Sequence, residues 1–282
     1  MPEGPETRIY SEQLSSLLGV PFISDCDSSI EHGTLEKWNY PVLERIIRIG
    51  PSNILEKGMN QLHGLRCRLI KHRGKVTVLN WDDQLEMFVA YGMTGSWSLE
   101  KSEFSRVEFV FQGKRSLFFQ DVRKFGRIGI RECHRRLENI GLSIFDQNYR
   151  RDRLPGLKRR FGQRSIRRFL LDPSTCPGVG NYICNEALWH AKEHPVRKVN
   201  SMTESELWNV IRSCRNVYRN SLRLGGMTFS DFCKMDGSSG AFQLKVKCYR
   251  KQNCERCGCP IIRIKDGPSS IYCCPNCSPE PR

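Results

Sequence analysis

Apolar and polar residues alternate along the stretch from residue 66 to residue 131. Val107, Phe109 and Phe111 are interleaved with Arg106, Glu108 and Gln112, and similar runs cover 75–80, 85–91 and 116–121. A period of two gives each strand one apolar face, so this half is expected to be antiparallel β structure, a sandwich or barrel. Elsewhere the period lengthens. Ile9, Leu14, Leu17 and Leu18 predict a helix from about Glu6 to Leu18, ended by Gly19 and Pro21. Leu207, Val210, Ile211, Cys214, Val217 and Tyr218 form one helical stripe behind a capping box of Thr203 and Glu206. Two more helices are read at 160–172 and 181–192, joined by the turn Pro173 to Gly180. The stretch 132–160 carries many charges, Pro155 and Gly156, and few periodic apolar positions, and reads as a linker.

The expected organisation is therefore α+β in two domains. An antiparallel β-sandwich with flanking helices occupies 1–132, a boundary segment 133–160, a helical unit 161–240, and a terminal hairpin 241–282.

Charge narrows the partner. The 282 residues hold 45 Lys and Arg against 30 Asp and Glu, a formal net charge of +15. Such a surplus favours a polyanion. No run approaches the ~20 apolar residues of a spanning helix, and the N-terminus lacks the pattern of a secretory leader. A nucleic acid is thus the expected partner rather than a membrane. Between Gly178 and Asn181 two glycines precede a helix start, which offers amides and a positive dipole end to a phosphate.

The 14 cysteines divide into two groups. Ten have no framework spacing, which suits reduced thiols in an intracellular compartment. The others, Cys254-x2-Cys257 and Cys274-x2-Cys277, lie 16 residues apart, the spacing of a four-thiolate structural zinc site. Between them, 260–264, 265–267 and 270–272 read as strand, turn and strand. Cys259 and Cys273 fall outside the paired spacing and are expected to stay free.

The chain opens Met1-Pro2-Glu3-Gly4-Pro5-Glu6. Removal of Met1 would leave a proline secondary amine beside a carboxyl group. A terminal amine has a pKa near ~7.7 to 8.0 and forms Schiff bases with carbonyl-level carbon such as C1' of a deoxyribose. Proline in second position permits that removal, and an amide at Pro2 could not attack.

Five separated motifs together resemble the formamidopyrimidine-DNA glycosylase and endonuclease VIII family. They are Pro2 to Glu6; Tyr91-Gly92-Met93-Thr94-Gly95-Ser96; Asp121-Val122-Arg123-Lys124-Phe125-Gly126; the helix-two-turn-helix from Leu170 to Leu188; and the cysteine pairs. The resemblance implies a bifunctional base-excision-repair enzyme acting on damaged DNA; nothing in the sequence suggests an obligate dimer, and a monomer is expected. It would flip a damaged base, attack C1' with Pro2, expel the base and cleave the strand by β- or β,δ-elimination. It further implies proton transfer by Glu3 and a hairpin lysine at Lys75 reaching phosphate or sugar; Glu6 is read either as catalytic support that orients the amine or as an acidic residue favouring the N-terminus of the following helix. Met93, Arg123 and Phe125 would fill the space left by the flipped nucleotide, Asn181 and adjoining amides would hold a phosphate, and one zinc would be structural.

This chain departs from that pattern in two places. Ser269 stands where the family's finger usually carries a phosphate-gripping arginine, with Arg263 and Lys265 on the other strand as substitutes, and Ala90 replaces a histidine. The segment 225–242 resembles the lesion-capping loop of the formamidopyrimidine branch. The N-terminal run and Arg73-Gly74-Lys75 suit the endonuclease VIII branch, and the reading leans to oxidised pyrimidines with formamidopyrimidines also accepted. Two other classes stand beside this reading. A non-catalytic sensor of abasic DNA is opposed by intact Pro2, Glu3 and Lys75, and a single-strand or RNA binder would need more of a stacking platform than Tyr249 and Tyr272.

Overall fold

A computed structural model describes residues 2–24, 40–50, 53–113, 115–131, 133–146, 148–228, 232–266 and 269–281. The chain begins with helix α1 (Gly4–Leu18), followed by nine strands: β1 (Phe22–Ser24), β2 (Leu43–Arg48), β3 (Cys67–Arg73), β4 (Val76–Trp81), β5 (Glu86–Ala90), β6 (Gly95–Ser98), β7 (Ser105–Phe111), β8 (Arg115–Asp121) and β9 (Arg127–Gly129). Five helices come next: α2 (Cys133–Glu138), α3 (Leu154–Phe161), α4 (Ile166–Leu171), α5 (Asn181–Ala191) and α6 (Glu204–Arg223). A hairpin of β10 (Ile262–Asp266) and β11 (Ser269–Cys273) closes the described fold.

The strands form two sheets, ordered β1-β3-β4-β5-β9 and β2-β7-β8-β6. The alternation predicted this sandwich. Val107, Phe109, Trp97, Phe119 and Leu117 of one sheet are buried with Ile70, Leu79, Met87 and Val89 of the other. One pairing departs from the antiparallel expectation: β1 runs parallel to β3, with Phe22 opposite Ile70. It can do so because the chain between β1 and β3 crosses to the other sheet, where it forms β2, before it returns.

Helix α1 is bound to the sheet by polar contacts as well as by Tyr10 and Leu14. Thr7 Oγ1 meets His72 Nε2 at 3.0 Å, and Ser11 Oγ meets Thr77 Oγ1 at 2.7 Å. Burial lowers the His72 pKa to about 3, so the ring is neutral at this contact. The helix stops where expected, at Gly19 with φ +64. It starts at Gly4, two residues earlier than the periodicity suggested.

The helices enclose a second core of Phe169, Leu170, Ile183, Leu207, Val210, Ile211 and Cys214. The capping box at the start of α6 forms as read, with Glu206 N donating to Thr203 Oγ1 and Thr203 N donating to Glu206 Oε2. The single helix expected over 160–172 is two. At Gly162 an added Cβ would lie 2.5 Å from the Lys158 carbonyl oxygen and 3.0 Å from Asn200, and the backbone turns there before Ser165 caps α4. The stretch read as a linker contains α2 and most of α3. Ile144, Tyr149 and Leu154 within it are buried in the helical core.

Candidate active site and finger

The expected nucleophile, acid and lysine come together at the junction of the two cores. Gly4 N–H donates to the Gly178 carbonyl at 2.9 Å, which ties the start of α1 to the turn before α5. Pro2 and Glu3 are buried there. The Glu3 carboxylate accepts from the amides of Tyr182 at 2.9 Å and Ile183 at 3.3 Å. It therefore occupies the N-terminal end of α5, where dipole and free amides favour an anion. The sequence reading assigned these amides to a phosphate; they are taken by a carboxylate 179 residues away in the chain. Gly180 makes this approach feasible, because any Cβ there would sit 2.2 Å from Glu3 Cδ.

Burial raises the Glu3 pKa from 4.5 to about 7, opposed chiefly by nearby Lys75, with Glu6 raising it further and the two amides lowering it. A carboxyl group so poised can give and take a proton near neutrality. Lys75 occupies the two-residue turn between β3 and β4 with Gly74, rather than the strand itself, since Arg73 pairs directly with Val76. Burial lowers its pKa, while Glu3 and Glu6 raise it.

Glu6 is N3 of the α1 capping box. Its carboxylate accepts from Glu3 N at 2.8 Å, Met227 N at 2.9 Å, Tyr182 Oη at 3.0 Å and Ser221 Oγ at 3.3 Å. Orienting the N-terminal peptide and capping the helix are thus one contact. Desolvation raises its pKa and these donors oppose the rise. Tyr182 was missed in the sequence, where an aromatic on a helix signals only core.

Met93 and the Arg123/Phe125 pair project from neighbouring loops. Phe125 is 51% exposed, and the Arg123 guanidinium lies 5.0 Å from its ring centroid. The fully buried Asp121 organises both loops. Its Oδ2 accepts Gly126 N at 2.7 Å, its Oδ1 accepts Arg123 N at 3.2 Å, and the same oxygen accepts the Thr94 hydroxyl. Gly92, with φ +61, lets the backbone of the Met93 loop approach Phe125 more closely than any Cβ would allow.

Asn181 does not point alone into solvent. Its Oδ1 accepts from Arg167 at 3.1 Å, and the same guanidinium nitrogen donates to Ser269 Oγ at 2.6 Å. An α4 cation thus meets the position where the finger lacks arginine. Arg263, on the opposite strand, donates to Ser270 Oγ at 3.1 Å, and its guanidinium lies 5.9 Å from the Tyr272 ring centroid. Tyr249 packs edge to face on Tyr272 of β11 at 5.2 Å, and both rings are half-buried. Of the segment 225–242, residues 229–231 lie outside the described residues. Phe232 is buried against Tyr10 at 5.3 Å, and Tyr10 Oη donates to the Cys233 carbonyl at 2.7 Å.

The sulfurs of Cys254, Cys257, Cys274 and Cys277 all lie within 4.8 Å of one another. Three of their separations are 3.4, 3.5 and 3.9 Å. Tetrahedral ligands at a zinc–sulfur distance of ~2.3 Å stand about 3.8 Å apart, so the set fits one such ion. Trp189 Nε1 donates to Cys254 Sγ at 3.2 Å, an outer contact typical of thiolate ligands. Cys259 and Cys273 stand outside the quartet. Helix α5 also carries the finger. Asn185 Oδ1 accepts Tyr272 N at 2.7 Å, and Glu186 accepts the amides of Lys247, Cys248 and Tyr249 at 2.8, 2.8 and 2.6 Å.

A β-sandwich that buries Pro2 and Glu3 against a helical pair, with a four-cysteine hairpin beyond, is the architecture of a DNA glycosylase of the helix-two-turn-helix class. Residues 1–128 match the formamidopyrimidine-DNA glycosylase N-terminal domain, and residues 142–233 match the formamidopyrimidine-DNA glycosylase H2TH domain. The chain belongs to this family, whose members are DNA glycosylases with AP lyase activity. A formamidopyrimidine-DNA glycosylase of Thermus thermophilus is 32% identical over 228 residues, covering 77% of this chain and 84% of that protein. The Cytobacillus firmus protein of the same name is 29% identical, with 98% and 99% covered. The crystal structure of MutM (Fpg) from Thermus thermophilus superposes with a TM-score of 0.83 at 28% identity over the whole of both chains. The Lactococcus lactis Fpg complex with abasic-site DNA has a TM-score of 0.80 at 22% identity, covering 99% and 100%, and speaks for the fold. Among the described residues no helix is long and apolar enough to cross a membrane.

Proposed function

We propose that this chain excises oxidised bases from duplex DNA, with formamidopyrimidines and 8-oxoguanine as the principal lesions, and then cleaves the abasic strand. The observation that carries this reading is the Glu3 carboxyl, held at about 7 on the end of α5 beside Pro2 and near Lys75. After removal of Met1 the Pro2 amine attacks C1', the bond from C1' to the base breaks, and the electron pair leaves with the base. The departing base takes up the amine proton; Glu3 protonates O4' as the C1'–O4' bond opens to the Schiff base, and it then accepts the C2' proton as the C3'–O3' bond breaks and the 3' phosphate leaves. Lys75 supplies positive charge to the same region, and Glu6 orients the Pro2–Glu3 peptide through the Glu3 amide.

Arg123, Phe125 and Met93 enter the helix where the nucleotide leaves. Phe125 supplies an apolar wedge and Arg123 a donor for the orphaned base. Asn181, held by the buried Arg167, would meet the DNA backbone at the finger base. Zinc bound by Cys254, Cys257, Cys274 and Cys277 supplies no chemistry to the reaction; it fixes the hairpin that contacts DNA. The relatives' shared name favours the formamidopyrimidine branch. The lean to oxidised pyrimidines rests only on the N-terminal run and on Arg73 to Lys75.

Borohydride trapping on a duplex with one abasic site tests the mechanism. The processed protein should form a covalent adduct that Pro2→Gly and Met1-retaining protein do not form. Tight, salt-sensitive DNA binding without an adduct would replace the enzyme by a damage sensor. Competing 8-oxoguanine and thymine glycol duplexes then decide the branch.

A further inference from the structure

We propose that Tyr182 is a positioning residue of the active site, holding Glu3 with its backbone and Glu6 with its phenol. The proposal rests on the glycosylase reading above. Among the described residues Tyr182 is the one that donates to both carboxylates: its N–H to Glu3 Oε1 at 2.9 Å and its O–H to Glu6 Oε1 at 3.0 Å. It is 1% exposed, and its ring is set by Phe242 at 5.7 Å and Tyr249 at 6.5 Å between centroids. The phenol therefore has one place to go. Ser221 Oγ, 3.0 Å from it, completes the cluster.

The consequence follows from what Glu6 holds in turn. Its second oxygen accepts the Glu3 amide at 2.8 Å, the peptide group that leads directly to Pro2. Its first oxygen accepts Met227 N at 2.9 Å, just beyond the end of α6. Gly226, with φ +87, brings that backbone in so closely that a Cβ would lie 3.2 Å from Glu6. A carboxylate on a three-bond side chain can rotate between such donors. The phenol, anchored in the helical core, gives it a fixed reference. Tyr182 thus registers the Pro2–Glu3 peptide against α5, while its own amide registers the Glu3 carboxyl against the same helix. Nucleophile and proton donor are aligned to each other through one residue.

Tyr182→Phe removes the phenol and keeps both the amide to Glu3 and the ring packing. On abasic-site duplex, kcat should fall about tenfold, the effect of one hydrogen bond to a charged acceptor, with KM and duplex Kd unchanged and a modest loss of melting temperature from the buried bond. A bystander aromatic would give either wild-type kcat or a loss of kcat and of duplex binding together, and either result overturns the proposal. If Tyr182→Phe does not melt cooperatively, Glu6→Gln is read by the same criteria, because it discharges the acceptor of the same phenol hydrogen bond. Wild-type protein that traps no adduct would instead sink the glycosylase reading, so the two failures are distinct.

Discussion

Alanine at position 180 would place a methyl group against the Glu3 carboxyl. The backbone itself is no obstacle, since φ is −124°, a value that any residue adopts. The added Cβ would lie 2.2 Å from Glu3 Cδ and 2.5 Å from both Cγ and Oε1. Carbon atoms in contact prefer about 3.5–4.0 Å, so the carboxyl must retreat by more than an ångström. It cannot do so and keep hydrogen bonds of 2.9 and 3.3 Å to the Tyr182 and Ile183 amides. Losing a helix cap costs about 1–2 kcal/mol of stability, whereas losing an aligned general acid–base group costs roughly 10²–10⁴ in rate. The variant should therefore fold and bind duplex DNA while excision collapses. Single-turnover excision from a lesion duplex, read beside thermal melting, makes the comparison. A rate within twofold of wild type at unchanged melting temperature would refute the placement of Glu3 on α5.

Two further expectations concern ionisation and metal. Glu3 has a folded pKa near 7 against 4.5 unfolded, so between those values the native state binds the extra proton and stability falls as pH rises. Glu3→Gln should flatten that decline in denaturant titrations from pH ~5 to ~8, by up to a few kcal/mol at the upper end; a slope equal to wild type would contradict the assignment. Purified protein should contain one zinc, and chelation should release thiol reactivity and weaken DNA binding. Full binding by metal-free protein would show the finger to be dispensable.

Local pattern made several features readable. The capping box before α6 and the cysteine pairs each span few residues, so spacing alone encoded them. The sandwich was readable because Phe109 and its neighbours obey a strict alternation. Contacts across the fold were not readable. Nothing near Asn181 announces that the anion at its helix end is Glu3, and nothing near Arg167 announces Ser269. The break at Gly162 depends on a close approach to Asn200, and the parallel pairing of β1 depends on the chain passing through β2 of the other sheet before β3. Tyr182 looked like core because it is core; its function lies in two hydrogen atoms that periodicity does not see.

Helix α5 holds Glu3 at Tyr182 and Ile183, the hairpin at Asn185 and Glu186, and the metal-ligand cluster at Trp189. An α-helix advances ~1.5 Å and turns ~100° per residue. One residue inserted between Ile183 and Asn185 would swing the finger by more than a quarter turn about that axis relative to the Glu3 carboxyl. Loops elsewhere can lengthen or shorten without such an effect, so across divergent descendants the spacing along this helix should be the dimension least free to drift.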